Sequence, residues 1–394
     1  MLRSASNAPP CHTQHSHNVS VIPIELNVPT PSALCADPVS KSHCLSKALN
    51  TCLKDNAAVI MGGSGDLVWP TKADIPKPGD LRWVKASEVD LPESGATVAV
   101  EDYLDKRILQ QWTDENLLFD SSKPEPAPEP AFLCSDAEWI RLLRKSRSAN
   151  LSTAISVDSI ACSPSRMPLR AGIFCLVKKV LPDGRVVCRL IIDRRPQNYF
   201  EHLIDGLELP HGSNFIRFLL RPGEVIRLSL RDASNYHYML RDPSCRLKYQ
   251  CIGPPVSQFW WEHDMPAWSP AKIFNDPAGM LQPAWTGVCM GDLNGVVIGQ
   301  MLHRGLLLDR NVFQPTEETL FGQPAPSGDT WAGVCIDDLV AVRRLLRKDR
   351  NSHAPGRDQE IMAAADAVYQ SVGLLEKAES GSVICPEAVP GARI

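Results

Sequence analysis

Two adjacent aspartates, Asp337 and Asp338, lie between two apolar runs, 331–336 and 339–342. This pattern predicts a tight β-hairpin with a pair of carboxylates at its tip. Because two like charges are costly to bury together, we expect the pair to be exposed at the turn or bound to cations. A third aspartate, Asp232, ends a further apolar run. Three carboxylates at strand ends are the ligands that a two-metal phosphoryl-transfer site needs, although Asp232 alone also fits a helix N-cap.

The elements that must position these aspartates show both strand-like and helix-like patterns. The sequence SDAE at 135–138 is a capping box, which predicts the start of a helix. Periodicity alone therefore indicates a mixed α and β protein. Two strands joined by the turn LPDG are predicted at 172–180 and 185–193, and further helices at 101–112, 293–307 and 357–375.

Composition is that of an ordinary globular protein, with 44% hydrophobic and 22% charged residues in 394. This length is sufficient for two or three domains. The 13 cysteines form no CxxC pair, and the N-terminus is followed by no secretory apolar segment and no membrane-spanning apolar run. We therefore expect an intracellular protein with free thiols and no membrane partner; the sequence does not choose between nucleus and cytoplasm.

Charge is unevenly distributed along the chain. The range 141–248 holds 19 Lys and Arg against 9 Asp and Glu, a net charge of +10, whereas the whole chain carries −4. A basic block on an acidic protein fits contact with a phosphate backbone. A solvated surface that acidic neighbours balance in three dimensions is the other interpretation.

The chain divides by pattern into five parts. Residues 1–95 are poorly patterned and predicted to be largely disordered, and 96–134 hold a helix and a Pro-rich linker. The range 135–225 begins a new unit, 226–380 carries the three aspartates, and 381–394 form a tail.

Five motifs appear in an order that resembles the reverse transcriptase family of retroelements. In that family such motifs span the fingers and palm of an RNA-directed DNA polymerase. The five are RLIIDRRPQN (189–198), LRDASNYHYML (230–240), MGDLNGVVIGQ (290–300), CIDD (335–338) and VGLLEKAES (372–380).

The resemblance implies an α+β fold of the right-hand polymerase type. Residues 135–225 would form β-rich fingers, and 226–380 would form a palm with an antiparallel sheet and helices on one face. It also implies that the tail, 381–394, leaves no room for a thumb or a ribonuclease H domain.

The resemblance also implies catalytic roles. Asp232 and Asp337 would bridge two Mg²⁺ or Mn²⁺ ions, with Asp338 as a weaker or outer ligand, and Lys377 would protonate the leaving pyrophosphate. The implied partners are an RNA or DNA template with its primer, and deoxynucleoside triphosphates. A solvated lysine at a helix end is an equal interpretation of Lys377.

Nucleotide contacts are implied for Lys178 or Lys179 and for Arg189. Adjacent strand residues point to opposite faces, so only one of the two lysines can face the nucleotide. Tyr236 would lie under the sugar and Gln300 would face the templating base pair, although core packing and an exposed helix position are the plain alternatives. The implied structural motif residues of the fingers and of the template-side helix are Asp193, Arg195, Asn198 and Gly291.

Three functions follow as hypotheses. The first is a reverse transcriptase core, and the second is an inactive, retroelement-derived protein that binds nucleic acid. The third is an unrelated metal-dependent phosphotransferase or nuclease that uses the same carboxylates. Cys335, in place of the usual aromatic residue of the hairpin, favours the second, whereas the presence of all three aspartates favours the first.

Overall fold

The computed structural model describes residues 79–215, 217–266, 268–349, 355–376 and 381–385. All of them belong to one compact unit. Lys377 and residues 1–78 lie outside the described residues.

Thirteen strands and eleven α-helices lie in these ranges. The strands are β1 (Leu81–Arg82), β2 (Val98–Ala99), β3 (Ser152–Ser156), β4 (Gly172–Val180), β5 (Val186–Asp193), β6 (Glu224–Ser234), β7 (Leu240–Arg241), β8 (Val256–Ser257), β9 (Met280–Trp285), β10 (Thr330–Cys335), β11 (Asp338–Leu346), β12 (Leu375–Glu376) and β13 (Gly381–Cys385). The helices are α1 (Val100–Tyr103), α2 (Lys106–Thr113), α3 (Glu115–Leu118), α4 (Asp136–Ser148), α5 (Arg195–Phe200), α6 (Gly212–Phe215), α7 (Tyr236–Met239), α8 (Gln258–His263), α9 (Pro270–Phe274), α10 (Gly295–Asp309) and α11 (Arg357–Val372).

The predicted carboxylate hairpin is confirmed as β10 and β11, and it belongs to an antiparallel central sheet. The other edge of β11 pairs with β6, and both β12 and β13 pair with the far edge of β6. The architecture is therefore mixed α and β, as the sequence predicts, and its sheets are antiparallel apart from the short parallel pair of β2 and β7.

The two long helices α10 and α11 pack on one face of the central sheet. Alternate residues of β11, including Leu339 and Ala341, share a core cluster with Ile298 of α10 and Ile361 of α11. The intervening residues of β11 face the opposite side, where Val340 and its neighbours pack against the segment around Phe218. This alternation follows from the two-residue period of a strand.

A buried ion pair ties α11 to β6. The Nε and Nη2 atoms of Arg227 donate to the two carboxylate oxygens of Asp358, both at 2.6 Å, and the Ser229 hydroxyl donates to the same carboxylate at 3.1 Å. The side chain of Asp358 is fully buried. Since both carboxylate oxygens are satisfied, the pair fixes the start of α11 over the sheet.

The predicted hairpin 172–193 is confirmed as β4 and β5, which form a second antiparallel sheet with β1. The helix α4 covers this region, and the predicted cap is present because Ser135 Oγ accepts from the Glu138 N–H. A third sheet, β3–β9–β8, completes this half of the unit.

Two segments pack in a different part of the structure from the one that the sequence analysis assigned to them. Residues 79–95, which the sequence assigns to the poorly patterned N-terminal region, contain β1 and bury Val84 and Val89 in the core around α4. Trp260 and Trp285, which follow Asp232 in the chain and belong to the range 226–380, pack in the same core around α4. Both differences arise because apolar side chains pack by position in space, not by order along the chain.

None of the described helices has the length and apolar character that a membrane crossing requires. Eight cysteines in the described ranges are free thiols, as the sequence predicts. They are Cys134, Cys162, Cys175, Cys188, Cys245, Cys251, Cys289 and Cys335.

Candidate active site

The register of the central sheet brings the three aspartates to one end of it. Asp338, the first residue of β11, lies directly opposite Asp232 of β6. Side chains that are opposite each other in an antiparallel pair project from the same face, with Cβ atoms about 4.5–5.5 Å apart. Asp337 is in the preceding two-residue turn, and its carbonyl oxygen accepts from the Ala233 N–H at 2.9 Å. All three aspartates are partly buried.

The turn that carries Asp337 has an unusual backbone. Residues 335–338, which we call the carboxylate turn, include Ile336 at φ +58°. A β-branched residue in this left-handed region is strained, and it persists only where surrounding contacts hold it. The Ile336 N–H donates to Gln300 Oε1 at 2.7 Å, and its carbonyl oxygen lies 2.7 Å from His303 Nδ1. Helix α10 therefore holds the turn from beneath.

A small cleft, open to solvent, adjoins the carboxylate turn. It joins residues from both halves of the unit, including several that the sequence analysis singles out. Its lining residues are Asp90, Lys178, Arg189, Asn235, Tyr236, His237, Tyr238, Met290 and Asp337.

The two adjacent lysines differ in position. Lys178 lines the cleft, whereas Lys179 is exposed and is not among the lining residues. The pairing of β4 with β5 shifts between Val177 and Lys179, so Lys178 is the extra residue of a β-bulge. A bulge redirects a side chain, and here Lys178 Nζ lies 2.6 Å from a carboxylate oxygen of Asp90.

Positive charge in the cleft comes from Lys178 and Arg189, since His237 is neutral at ordinary pH. Burial, together with the nearby Arg189 guanidinium, lowers the pKa of His237 to about 4. Asp90 and Asp337 line the same cleft, and Asp90 is in direct contact with Lys178. An anionic ligand that binds Lys178 directly must therefore compete with Asp90.

Tyr236 lies between the cleft and the core. Tyr236 is among the residues that line the cleft, but its side chain is almost fully buried. The Tyr236 hydroxyl donates to the Gly299 carbonyl at 2.8 Å. Burial, with smaller effects from Tyr369 and Asp337, raises the pKa of the Tyr236 hydroxyl well above its usual value. Both the predicted cleft contact and the alternative of core packing thus describe part of its position.

Gln300 has a different position from the predicted template-facing one. It is fully buried, and its amide nitrogen donates to the carbonyls of Val334 and Glu208, each at 2.8 Å. Its amide oxygen accepts from Ile336. The helical period turns Gln300 toward β10, so its polar atoms are used to hold the carboxylate turn.

The four motif residues make contacts within the protein. Asp193 and Arg195 form an ion pair in which Arg195 Nη2 lies 2.7 Å from Asp193 Oδ2, and Asp193 also accepts from the Ala131 N–H. Asn198 donates to the carbonyl of Gly291 at 2.7 Å. Gly291 has φ +108°, and a Cβ atom there would lie 2.5 Å from the carbonyl oxygen of residue 192, so only glycine fits.

A second group of charged residues lies behind these motifs. Arg194, Glu201, Arg246 and Asp292, which we call the buried charge cluster, are all almost fully excluded from solvent. Arg194 Nη2 and Arg246 Nη2 lie 2.8 Å and 3.1 Å from Glu201 Oε1, and Arg194 also pairs with Asp292. Burial alone would raise the pKa of Glu201, but the two guanidinium groups outweigh it and leave that pKa below its usual value.

Acidic partners neutralise part of the predicted basic block. Within the part of the block that the structure describes, at least ten basic residues form ion pairs, which supports a balanced surface there. They are Arg141, Arg144, Lys178, Arg185, Arg194, Arg195, Arg227, Arg231, Arg246 and Lys248.

Metal binding has a suitable donor chemistry but no preformed cage. Carboxylate oxygens are the ligands that Mg²⁺ prefers, and Asp232, Asp337 and Asp338 meet at one sheet end. Within the described ranges, however, no three Asp, Glu, His or Cys side chains converge closely enough to hold an ion by themselves. Since Mg²⁺ commonly takes one or two carboxylates and completes its shell with substrate phosphates, the donor set fits an ion that arrives with a ligand.

Sequence reasoning missed three residues that act on the site. Asp90 lies in a range that has little pattern, and no local signal marks it. Ile336 and His303 form the strained turn and its support. The one sequence signal for the contact between His303 and Ile336 is that His303 lies on the apolar face of a predicted helix, three residues after Gln300.

Comparisons with known proteins add no relative: no family model and no curated protein matches the chain.

Proposed function

We propose that this chain is the core of a retroelement-type reverse transcriptase, an RNA-directed DNA polymerase that catalyses nucleotidyl transfer. One observation carries the proposal. Asp232 and Asp338 are direct cross-strand partners, Asp337 occupies the adjoining turn, and the cleft beside it is also lined by Lys178 and Arg189. Asp337 and two cations from distant parts of the chain therefore line one cleft, which supports a site for a metal-bound triphosphate.

The architecture supports the proposal at a coarser level. In the proposal, the antiparallel sheet with α10 and α11 on one face would be the palm, and the hairpin of β4 and β5 would be the fingers. The cleft lies between these two parts, since its lining residues come from both. In such an arrangement the fingers would supply cations to a nucleotide bound beside Asp337.

The proposed chemistry assigns each side chain a task. Asp232 and Asp337 would hold divalent ions with Asp338 as an outer ligand, and such ions stabilise the attacking and leaving oxygens when bound. Arg189 presents a planar fork that suits phosphate oxygens. Lys178 would exchange its Asp90 partner for a phosphate, a change of one anion for another. His237, neutral at ordinary pH, adds a polar contact to the cleft without adding charge.

Extension of a primer on an RNA template tests the proposal. The full chain should add deoxynucleotides in the presence of Mg²⁺ or Mn²⁺, and Asp337→Asn should lower the rate roughly a thousandfold, or ~4 kcal/mol of transition-state stabilisation. The matched control is Asp329→Asn, an exposed aspartate just before β10. Equal rates in the two variants would contradict the proposal.

A protein that binds nucleic acid without catalysis is the second candidate. The ion pair between Lys178 and Asp90 favours it, because a lysine already neutralised is less available to a triphosphate. In that case the full chain retains a primed RNA template in a binding assay but adds no nucleotide with either metal. Degradation of the primer would instead indicate a metal-dependent nuclease.

A further inference from the structure

The carboxylate turn is connected to α11 by two hydrogen bonds in series. His303 Nδ1 lies 2.7 Å from the Ile336 carbonyl oxygen, and His303 Nε2 lies 2.7 Å from the Tyr369 hydroxyl. The side chains of His303 and Tyr369 are both essentially excluded from solvent. A direct polar path thus runs from the last turn of α11, through α10, to the carboxylate turn.

The chemistry of the partners determines the direction of these bonds. A carbonyl oxygen only accepts, so His303 Nδ1 carries the hydrogen and donates it to Ile336. In a neutral imidazole the other nitrogen then accepts, which makes the Tyr369 hydroxyl the donor. Burial lowers the pKa of His303 to about 4, which agrees with a neutral ring. The ring is therefore held in one tautomer by contacts at both ends.

Gln300 completes the support of the same residue. It accepts from the Ile336 N–H, while His303 donates to the Ile336 carbonyl. Both backbone polar groups of Ile336 are thereby satisfied from α10. Since Ile336 has φ +58°, the turn needs such contacts to remain in its strained form.

The two bonds of His303, to the Ile336 carbonyl and to the Tyr369 hydroxyl, are called the relay below. Tyr236 connects the relay to the cleft. Tyr236 is one of the residues that line the cleft. Its ring lies 5.3 Å from the His303 ring, and the His303 ring lies 5.5 Å from that of Tyr369. Displacement of His303 would therefore disturb the carboxylate turn first, through its bond to the Ile336 carbonyl. Neither His303 nor Tyr369 lines the cleft.

We propose that His303 and Tyr369 are positioning residues that hold the carboxylates of Asp337 and Asp338 in register with Asp232 through the backbone of Ile336. The catalytic role of the carboxylates in this inference rests on the proposed function. The stabilisation of the turn by His303 and Tyr369 does not depend on that function. Both residues act on the site without touching a substrate, so their loss lowers turnover and leaves substrate affinity unchanged.

Three variants test the relay. Tyr369→Phe removes the hydroxyl and keeps the ring, and His303→Leu removes both bonds. His303→Asn retains an amide donor near the Nδ1 position and loses the acceptor at Nε2. The matched control is Tyr249→Phe, which removes the hydroxyl of another buried tyrosine that does not line the cleft.

Amide hydrogen exchange of the full chain is the first measurement. The N–H groups of Ile336 and Ala233 report on the turn, because the first is bound by Gln300 and the second by the Asp337 carbonyl. Exchange at both should be about fivefold faster in Tyr369→Phe and faster again in His303→Leu, with His303→Asn between them. Turn exchange in Tyr369→Phe no faster than in Tyr249→Phe would overturn the relay.

Primer extension is the second measurement. In Tyr369→Phe, kcat should fall about fivefold while KM for the nucleotide stays within about twofold of the wild-type value. Faster turn exchange with unchanged kcat would overturn the positioning role. If the wild-type chain extends no primer, the proposed function fails by itself, and turn exchange alone then decides whether the relay holds the turn.

Discussion

Charged side chains occupy two neighbouring regions of this molecule under opposite conditions. In the buried charge cluster, Arg194 and Glu201 are excluded from water and paired within the protein. In the cleft, Lys178, Arg189 and Asp337 are partly exposed and border open solvent. The first arrangement fixes a structure, since removal of one partner leaves a buried charge. The second leaves charges at a surface that a ligand can reach.

Geometry explains how the regions can lie so close and behave so differently. Arg194 and Arg195 are adjacent, yet Arg194 faces inward to Glu201 while Arg195 pairs with Asp193 near the surface. Asn198 and Gly291 connect the two regions through a hydrogen bond. We therefore expect substitutions in the cluster to change stability, and substitutions in the cleft to change activity.

The largest expected effect is on the buried side of this comparison. Glu201→Gln should destabilise the fold by about 3–5 kcal/mol, because Arg194 and Arg246 lose their shared buried carboxylate. Asp337→Asn should change the unfolding free energy by less than about 1 kcal/mol. Urea denaturation of both variants checks the contrast. Equal losses of stability would show that the two regions do not differ in this way.

The second test measures how the free energy of unfolding depends on pH, because His303 is a buried group that is neutral, in contrast to the buried charge cluster. The pKa of His303 is lowered from 6.5 to about 4 by burial, so the unfolded chain binds a proton first as the pH falls. The stabilising contribution is complete above pH 6.5 and is lost between there and pH 4, about 3 kcal/mol in all.

The control for this titration is His303→Gln, which cannot titrate in that range. Urea denaturation midpoints measured at several pH values should fall more steeply for the wild-type chain than for the variant. Parallel curves would contradict the assignment of a buried neutral ring.

Gly291, which lies next to both regions in the chain, allows a test with a smaller expected effect. Gly291→Ala introduces a Cβ atom 2.5 Å from a backbone oxygen, whereas Gly184→Ala introduces one with no atom within 4 Å. Both glycines have positive φ, so the backbone strain is similar and the difference reports the close contact. We expect Gly291→Ala to be less stable than Gly184→Ala by about 1–3 kcal/mol in thermal or urea unfolding. Indistinguishable variants would mean that the chain relaxes there.

The smallest expected effect is in the cleft. Asp90→Asn leaves Lys178 without its ionic partner, so inorganic pyrophosphate should bind up to about fivefold more tightly, since a pair this exposed contributes at most ~1 kcal/mol. Calorimetric titration at low and high salt measures this, and salt should reduce the gain. Asp183→Asn, in the exposed pair with Arg185, should leave pyrophosphate affinity unchanged. A gain in the control equal to that in Asp90→Asn would contradict a cleft-specific effect.

Much of the fold was predictable because its signals are local. The cap at Ser135, the hairpin of β4 and β5 and the turn before Asp338 depend on neighbours within a few residues. The assignment of residues 79–95 was less successful, because β1 is short and gains its order from pairing with β4. A strand of two residues has no period of its own to detect.

The candidate site was predictable in composition and not in detail. Asp232 and Asp337 could be named from the sequence pattern, whereas Lys178, Arg189 and Tyr236 were implied only by the resemblance. The choice of Lys178 over Lys179 needed the β-bulge, and the inward position of Gln300 needed the packing of α10 on β10. Asp90 pairs with a lysine 88 residues away, which no local pattern reports.

By itself, the sequence determined that an Asp-Asp turn would join two apolar strands, because alternation and turn chemistry act over a few residues. Only the tertiary structure decided that Asp232 lies opposite Asp338, that Asp90 holds Lys178, and that His303 supports Ile336. These contacts depend on strand register and helix packing, in which many apolar side chains across the chain find one joint arrangement.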